Sequence, residues 1–220
     1  MLETWTFYPE IYGIEPVEYL CYNAVMESKF EQKGTVTLET ARLVLRRFTM
    51  KDAEASFNNW MSDKNVTRFL TWQPYETIGY ARGTIARWIY AYNNENFYQW
   101  AIVLKETSAC IGSVHAITVD EKAAYMRVGY CLGSKWWGQG IMTEALNAVI
   151  RFLFEEVGAN RIEARHDPAN PASGEVMKKC GMRYEATLRQ AAWSNAGIYD
   201  TAIYSILLTE YNLGARRSHL

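Results

Sequence analysis

Between Tyr98 and Lys105 the chain alternates strictly. Tyr98, Trp100, Ile102 and Leu104 fall on one side and Gln99, Ala101, Val103 and Lys105 on the other, a period of two that predicts a strand ending in a Glu106-Thr107-Ser108 turn. The same period marks Leu43 and Leu45 against Arg42, Val44 and Arg46, and apolar runs at Cys110–Val119 and Ala123–Leu132 complete a predicted meander. A longer period appears elsewhere. Thr49 is placed to cap a helix over Met50–Met61 with Asp52 in its first turn. Ile78, Ala81, Ile85, Trp88 and Ile89 form the core face of a second helix over Thr77–Tyr92, and Ile141, Ala145, Val149 and Phe152 that of a third, ended by Gly158. Asn160–His166 reads as a fifth strand and Ser173–Lys179 as a short helix closed by Gly181. Strands Arg183–Trp193 and Ile198–Leu208 finish the order β-α-α-β-β-β-α-β-α-β-β.

Residues 1–37 read as an addition to this domain. Trp5, Phe7, Tyr8, Ile11 and Tyr12 make an aromatic lead-in, and Pro16 opens a helical pattern whose face is Val17, Leu20, Cys21, Ala24 and Val25, with a stop expected near Gly34. The domain proper is expected over residues 38–212, with 213–220 a tail. Of 220 residues 49% are apolar and 14% aromatic, enough for a sizeable core, while a net charge of −1 argues against holding nucleic acid by phosphate neutralisation. Cys21, Cys110, Cys131 and Cys180 are widely spaced without a C-x-x-C, the pattern of free thiols in a reducing cytoplasm rather than of disulfides or a metal site. No apolar run reaches membrane-spanning length.

The chemistry concentrates at Tyr130–Ala145. A strand runs into a short turn with Gly138 and Gly140 one residue apart, and a helix begins at once. Glycines let the backbone turn tightly and approach a ligand, and the first free N–H groups of the helix then face an anion. A dinucleotide fingerprint would need a third glycine where Thr143 stands, and a Walker loop would need Gly-Lys-Ser/Thr, which is absent.

Lys135-Trp136-Trp137-Gly138-Gln139-Gly140 resembles the pyrophosphate motif of the GNAT superfamily of acetyl-coenzyme A dependent N-acetyltransferases. The W-G-x-G-I-x-T-E-A form, and the start Glu39-Thr40-Ala41-Arg42-Leu43, are most similar to the branch that acetylates the N-terminal amine of ribosomal proteins. The resemblance covers roughly residues 38–210. It implies an α/β (α+β) GNAT fold, a mixed central sheet of about seven strands with helices on both faces. It further implies acetyl-coenzyme A as donor, no metal, homodimerisation, and a primary amine as acceptor, either a protein N-terminus or a small molecule. Backbone amides of Trp137, Gly138, Gln139, Gly140, Ile141 and Met142, with Thr143 behind them, would hold the pyrophosphate. The edge of Tyr130-Cys131-Leu132 would pair with the pantetheine arm like an added strand.

Asn170-Pro171-Ala172-Ser173 followed by Val176, Lys179, Gly181 and Met182 resembles the family's second signature, with methionine for the usual phenylalanine. There Asn170 would bond the cofactor arm and Ser173 would protonate the departing thiolate; alternatively Asn170 makes an Asx turn and Ser173 caps the short helix. The general base departs from the family. Arg127 stands at one of its glutamate positions and Ala192 at the other. His115, with a suitable intrinsic pKa, Asp200 beside Tyr204, or an ordered water are the substitutes. Arg127 could instead attract an acidic acceptor.

Overall fold

A computed structural model describes residues 30–217 of the chain, so the expected N-terminal helix lies outside the described residues. The chain proceeds through β1 (Leu38–Glu39), β2 (Leu43–Arg46), α1 (Asp52–Ser56) running into a π-helical segment Phe57–Met61, α2 (Lys64–Thr67), α3 (Ile78–Ala91) and β3 (Tyr98–Leu104). It continues through β4 (Cys110–Asp120), β5 (Tyr125–Leu132), a 3-10 turn Ser134–Trp136, α4 (Ile141–Glu155), β6 (Arg161–His166), α5 (Pro171–Lys179), β7 (Arg183–Ser194), β8 (Gly197–Leu207) and α6 (Leu208–Arg217). The strands form one sheet in the order β1-β2-β3-β4-β5-β6-β8-β7, parallel only where β5 meets β6.

Eight strands stand where about seven were expected, because β1 is a two-residue edge too short to leave a periodic trace. α6 occupies the start of the expected tail. Both sheet faces are covered. On one, Ile141, Ala145, Leu146, Val149 and Leu153 of α4 and Met177 of α5 pack on Trp100, Val114, Val128, Ile162 and Ala202. Each of the valine, leucine, isoleucine and methionine side chains among them contributes about 1.5–3 kcal/mol by leaving water. On the other, Ala53, Trp60, Met61, Ala81 and Ile85 pack over Ala101, Val103 and Cys110.

Some local expectations fail for identifiable reasons. Thr49 does not cap the first helix; its N–H and hydroxyl both donate to Asp52, whose carboxylate also takes two bonds from Arg46 at 2.8 Å. The helix then widens, with Ser62 N–H reaching the Phe57 carbonyl, so that consecutive Trp60 and Met61 both turn into the core. Ile89 is exposed rather than core. α5 begins two residues early, with Pro171 at its first position, so Ser173 lies inside the helix and neither Ser173 nor the Asn170 side chain caps it.

Candidate active site

Gly138 and Gly140 adopt φ of +74° and +73°, a left-handed region that side chains avoid, and the position of a Gly138 Cβ is open space. Among the described residues none of the N–H groups from Gly138 to Thr143 has an acceptor. They open α4, where the helix dipole adds to their pull on an anion. The turn is clamped from outside. Arg42 donates to the Gln139 carbonyl at 3.0 Å and pairs with Glu144 at 2.7 Å, and Glu144 also accepts from Thr40 and the Arg42 N–H. Burial alone would raise the Glu144 pKa, but these bonds outweigh it and hold the carboxyl below its ordinary range. The Gln139 side chain folds back onto the Lys135 carbonyl, so its contribution to the site is main chain.

β5 and β6 pair only from Tyr125–Arg161 to Val128–Ala164. Beyond that they part, leaving Gly129–Leu132 along β5 with no β6 partner, although the Leu132 carbonyl is taken by the Trp137 indole at 2.8 Å. The gap forms a cavity of about 510 Å³. Tyr130, Cys131, Leu132, Trp137, Gly138 and Gly140 to Thr143 line it with Asn170, Ser173 and Val176, as do Val66, Phe69, Leu70, Arg165 and Tyr199. An extended anionic donor fits this frame: the open edge matches an amide-bearing arm, and the unsatisfied N–H groups match its pyrophosphate.

Ser173 sits in the first turn of α5, where the Tyr130 phenol reaches it. The phenol donates to the Ser173 carbonyl at 2.9 Å, and Ser173 Oγ lies 3.0 Å from the phenol oxygen. With the phenol's one proton spent on the carbonyl, the serine hydroxyl is the donor of the second bond. Burial pushes the Tyr130 pKa well up, keeping the phenol neutral. Cys131 is no nucleophile, since burial raises its thiol to about 11. Cys110, Cys131 and Cys180 are free thiols.

Two candidate bases stand elsewhere. His115 pairs across the ladder with Gly129 and lays its ring where a glycine Cβ would sit, and it lines a separate cavity of about 280 Å³ beside Gln99 and Thr118. Although its edge is solvent-accessible, the protein around it desolvates the ring and lowers its pKa. Asp200 is exposed and accepts the Gln190 N–H at 2.8 Å, holding an irregularity of β7 where Gln190 has φ +50°. Neither lines the cavity between β5 and β6. Tyr204 is buried against His166 and Tyr184. Arg127 is tied to Glu163 at 3.1 Å and does not line that cavity either.

Sequence reading missed the group around Glu163. Its side chain, 4% exposed, accepts from Tyr125, Arg127, Arg161 and Arg165. Burial works against this carboxylate, yet the bonds from Tyr125 and Arg165 and the charges of Arg165 and Arg127 hold its pKa below the ordinary range. The signal was present in Arg161, Glu163 and Arg165, charges alternating on the strand face opposite Ile162 and Ala164. His166 was missed too. Its Nδ1 lies 2.8 Å from the Asp167 carbonyl and so carries the proton, while Nε2 is buried without a partner. Among the described residues no group of three or more His, Cys, Asp or Glu could hold a metal, and no helix is long and apolar enough to cross a membrane.

Residues 42–183 match the acetyltransferase (GNAT) domain family. The uncharacterized N-acetyltransferase YoaA of Bacillus subtilis is 32% identical over 77% of this chain and 96% of its own. The ribosomal protein uS5 alanine N-acetyltransferase of Escherichia coli is 28% identical over 68% of this chain and 79% of its own. Among solved structures, the microcin C7 self-immunity acetyltransferase MccE, in complex with acetyl-CoA and AMP, superposes with a TM-score of 0.69 at 24% identity, covering 76% of this chain and 93% of that one. The chain belongs to the GNAT acetyltransferase family and has its fold. It is an acetyl-coenzyme A dependent N-acetyltransferase.

Proposed function

We propose that this enzyme acetylates the N-terminal amine of a protein, in the cytoplasm, by direct attack of the amine on the bound thioester. One observation carries the reading: the cavity between β5 and β6 joins an open strand edge and free amides to an apolar and aromatic lining of Val66, Phe69, Leu70 and Tyr199. A peptide end can enter there while the donor lies along β5. The uS5 alanine N-acetyltransferase acts on a protein alanine, which supports the same acceptor class here.

Acetyl-coenzyme A supplies an activated acetyl group and a thiolate leaving group. The amides of Gly138 to Thr143 bind its diphosphate, Asn170 and the β5 edge orient its arm, and Ser173 donates a proton at Oγ to the sulfur. Tyr130 holds that hydroxyl in place. With no carboxylate at the Arg127 and Ala192 positions, an ordered water takes the amine proton; positioning can supply about 7–11 kcal/mol of the barrier and a side-chain base about 10²–10⁴ in rate. The exposed apolar residues Trp193 and Ile198, paired beside the β7–β8 turn, are a surface that a second copy of the chain would cover.

Incubation of the purified protein with acetyl-coenzyme A and a panel of peptides and small amines tests the acceptor. Peptides should gain one acetyl group at the α-amine. Acetylation confined to small amines would make the protein assignment wrong.

A further inference from the structure

The charges gathered around Glu163 leave one cation over. Three arginines, Arg127, Arg161 and Arg165, surround Glu163, and Arg161 also pairs with Glu185 at 2.6 Å, so three cations meet two carboxylates. Glu163 is already satisfied by Tyr125, Arg127 and Arg161. Arg165 is the member that lines the cavity. Its Nε is anchored on Glu163 at 2.6 Å, which sets the plane of the guanidinium, and among the described residues neither terminal nitrogen has a hydrogen-bond partner. Its side chain is 31% exposed. Two acids also line the cavity: Glu175 pairs with Lys178 at 2.7 Å, and Asp167, one of whose oxygens accepts the Ala169 N–H, does not pair with Arg165.

A guanidinium fixed through Nε offers its two terminal N–H groups as a fork that fits a carboxylate. Val66, Phe69, Leu70 and Tyr199 give the same cavity apolar and aromatic surface, which suits the aliphatic stem of a side chain more than a fully polar metabolite. From this geometry we infer that Arg165 selects acceptors with a carboxylate close to the reacting amine, namely peptide N-termini with aspartate or glutamate within the first two residues. This inference rests on the N-terminal acceptor reading above and narrows it. Arg127, which the sequence alone marked as the attraction for an acidic acceptor, serves instead to saturate Glu163 so that Arg165 keeps its fork free.

Matched peptides that differ only in Glu against Gln, or Asp against Asn, test it. Binding to the coenzyme A complex is read by calorimetry and acetylation by kcat/KM with acetyl-coenzyme A, with free glutamate as a further ligand. The acidic member of each pair should be preferred about 10- to 100-fold in both readouts, the range of a charge-assisted hydrogen bond. Arg165→Met should bring that ratio near one, and Arg165→Lys, which keeps charge and loses the fork, should leave an intermediate ratio. Equal use of acidic and neutral peptides, or a preference that survives Arg165→Met, overturns the inference. Free glutamate outcompeting every peptide overturns its peptide form. An acidic peptide that binds through Arg165 but is never acetylated supports the inference and sinks the N-terminal acceptor reading instead.

Discussion

Ser173 and Tyr130 stand on different elements and meet through two short bonds, one to main chain and one to side chain. The first holds the phenol wherever the serine turns. The second is the one that would have to break for Oγ to pass its proton to sulfur, the role proposed for it. Ser173→Ala should therefore lower kcat by about 10²-fold, the lower end for a positioned acid, with KM for acetyl-coenzyme A nearly unchanged. Free-thiol release followed with saturating amine checks this. Release at the wild-type rate would remove the serine from the mechanism. At this scale the sequence was a partial guide. Ser173 and Asn170 lie in a contiguous motif and could be read directly. Arg165 could not, because its meaning depends on Glu163 being saturated by Arg127 and Tyr125 from the neighbouring strand, a fact of β5–β6 register.

Elements show the same division. Periods of two and of three to four located nearly every strand and helix, since half-buried faces must follow the geometry of their backbone. What escaped was the π-helical turn at Phe57–Met61, the four-residue α2 and the two-residue β1, where too few positions exist to show a period, and the helix after Leu207, which follows β8 with no turn residue between them. The turn between β1 and β2 also has a task that no motif announced, since Arg42 and Glu144 brace the Gly138–Gly140 turn. Glu144→Gln should raise KM for acetyl-coenzyme A several-fold, leave kcat close to wild type and cost about 1 kcal/mol of stability, because Arg42 is half exposed. The folded-state pKa of Glu144 is depressed, so its contribution is complete above the unfolded carboxylate value and is lost as pH falls through the lower folded value. Denaturation from pH 8 down to 3 should show a constant gap between wild type and variant above about pH 5 that closes in stronger acid. A gap independent of pH would mean the carboxylate does not hold the brace.

For the whole molecule, the four residue pairs between β5 and β6 are all that ladder the five-strand half of the sheet, β1 to β5, to the three-strand half, β6 to β8. An extended ligand lying in the gap would bridge the halves, so binding should register in global stability. At 100 times its dissociation constant acetyl-coenzyme A should add about 2.7 kcal/mol and raise the thermal midpoint by about 5–11 °C. Coenzyme A should do the same and ATP should not. No shift with either thioester or thiol would reduce the Gly138 turn to a structural one.

A sheet is ordinarily a closed zip, and this one is left partly undone. The teeth of β5 and β6 mesh over four residue pairs, and from Gly129 onward those of β5 have none of β6 to meet. A guest that brings its own row of amides can close the zip further. On the proposed reading, a protein acceptor need bring only its first residues to the opening; the rest of it can stay outside.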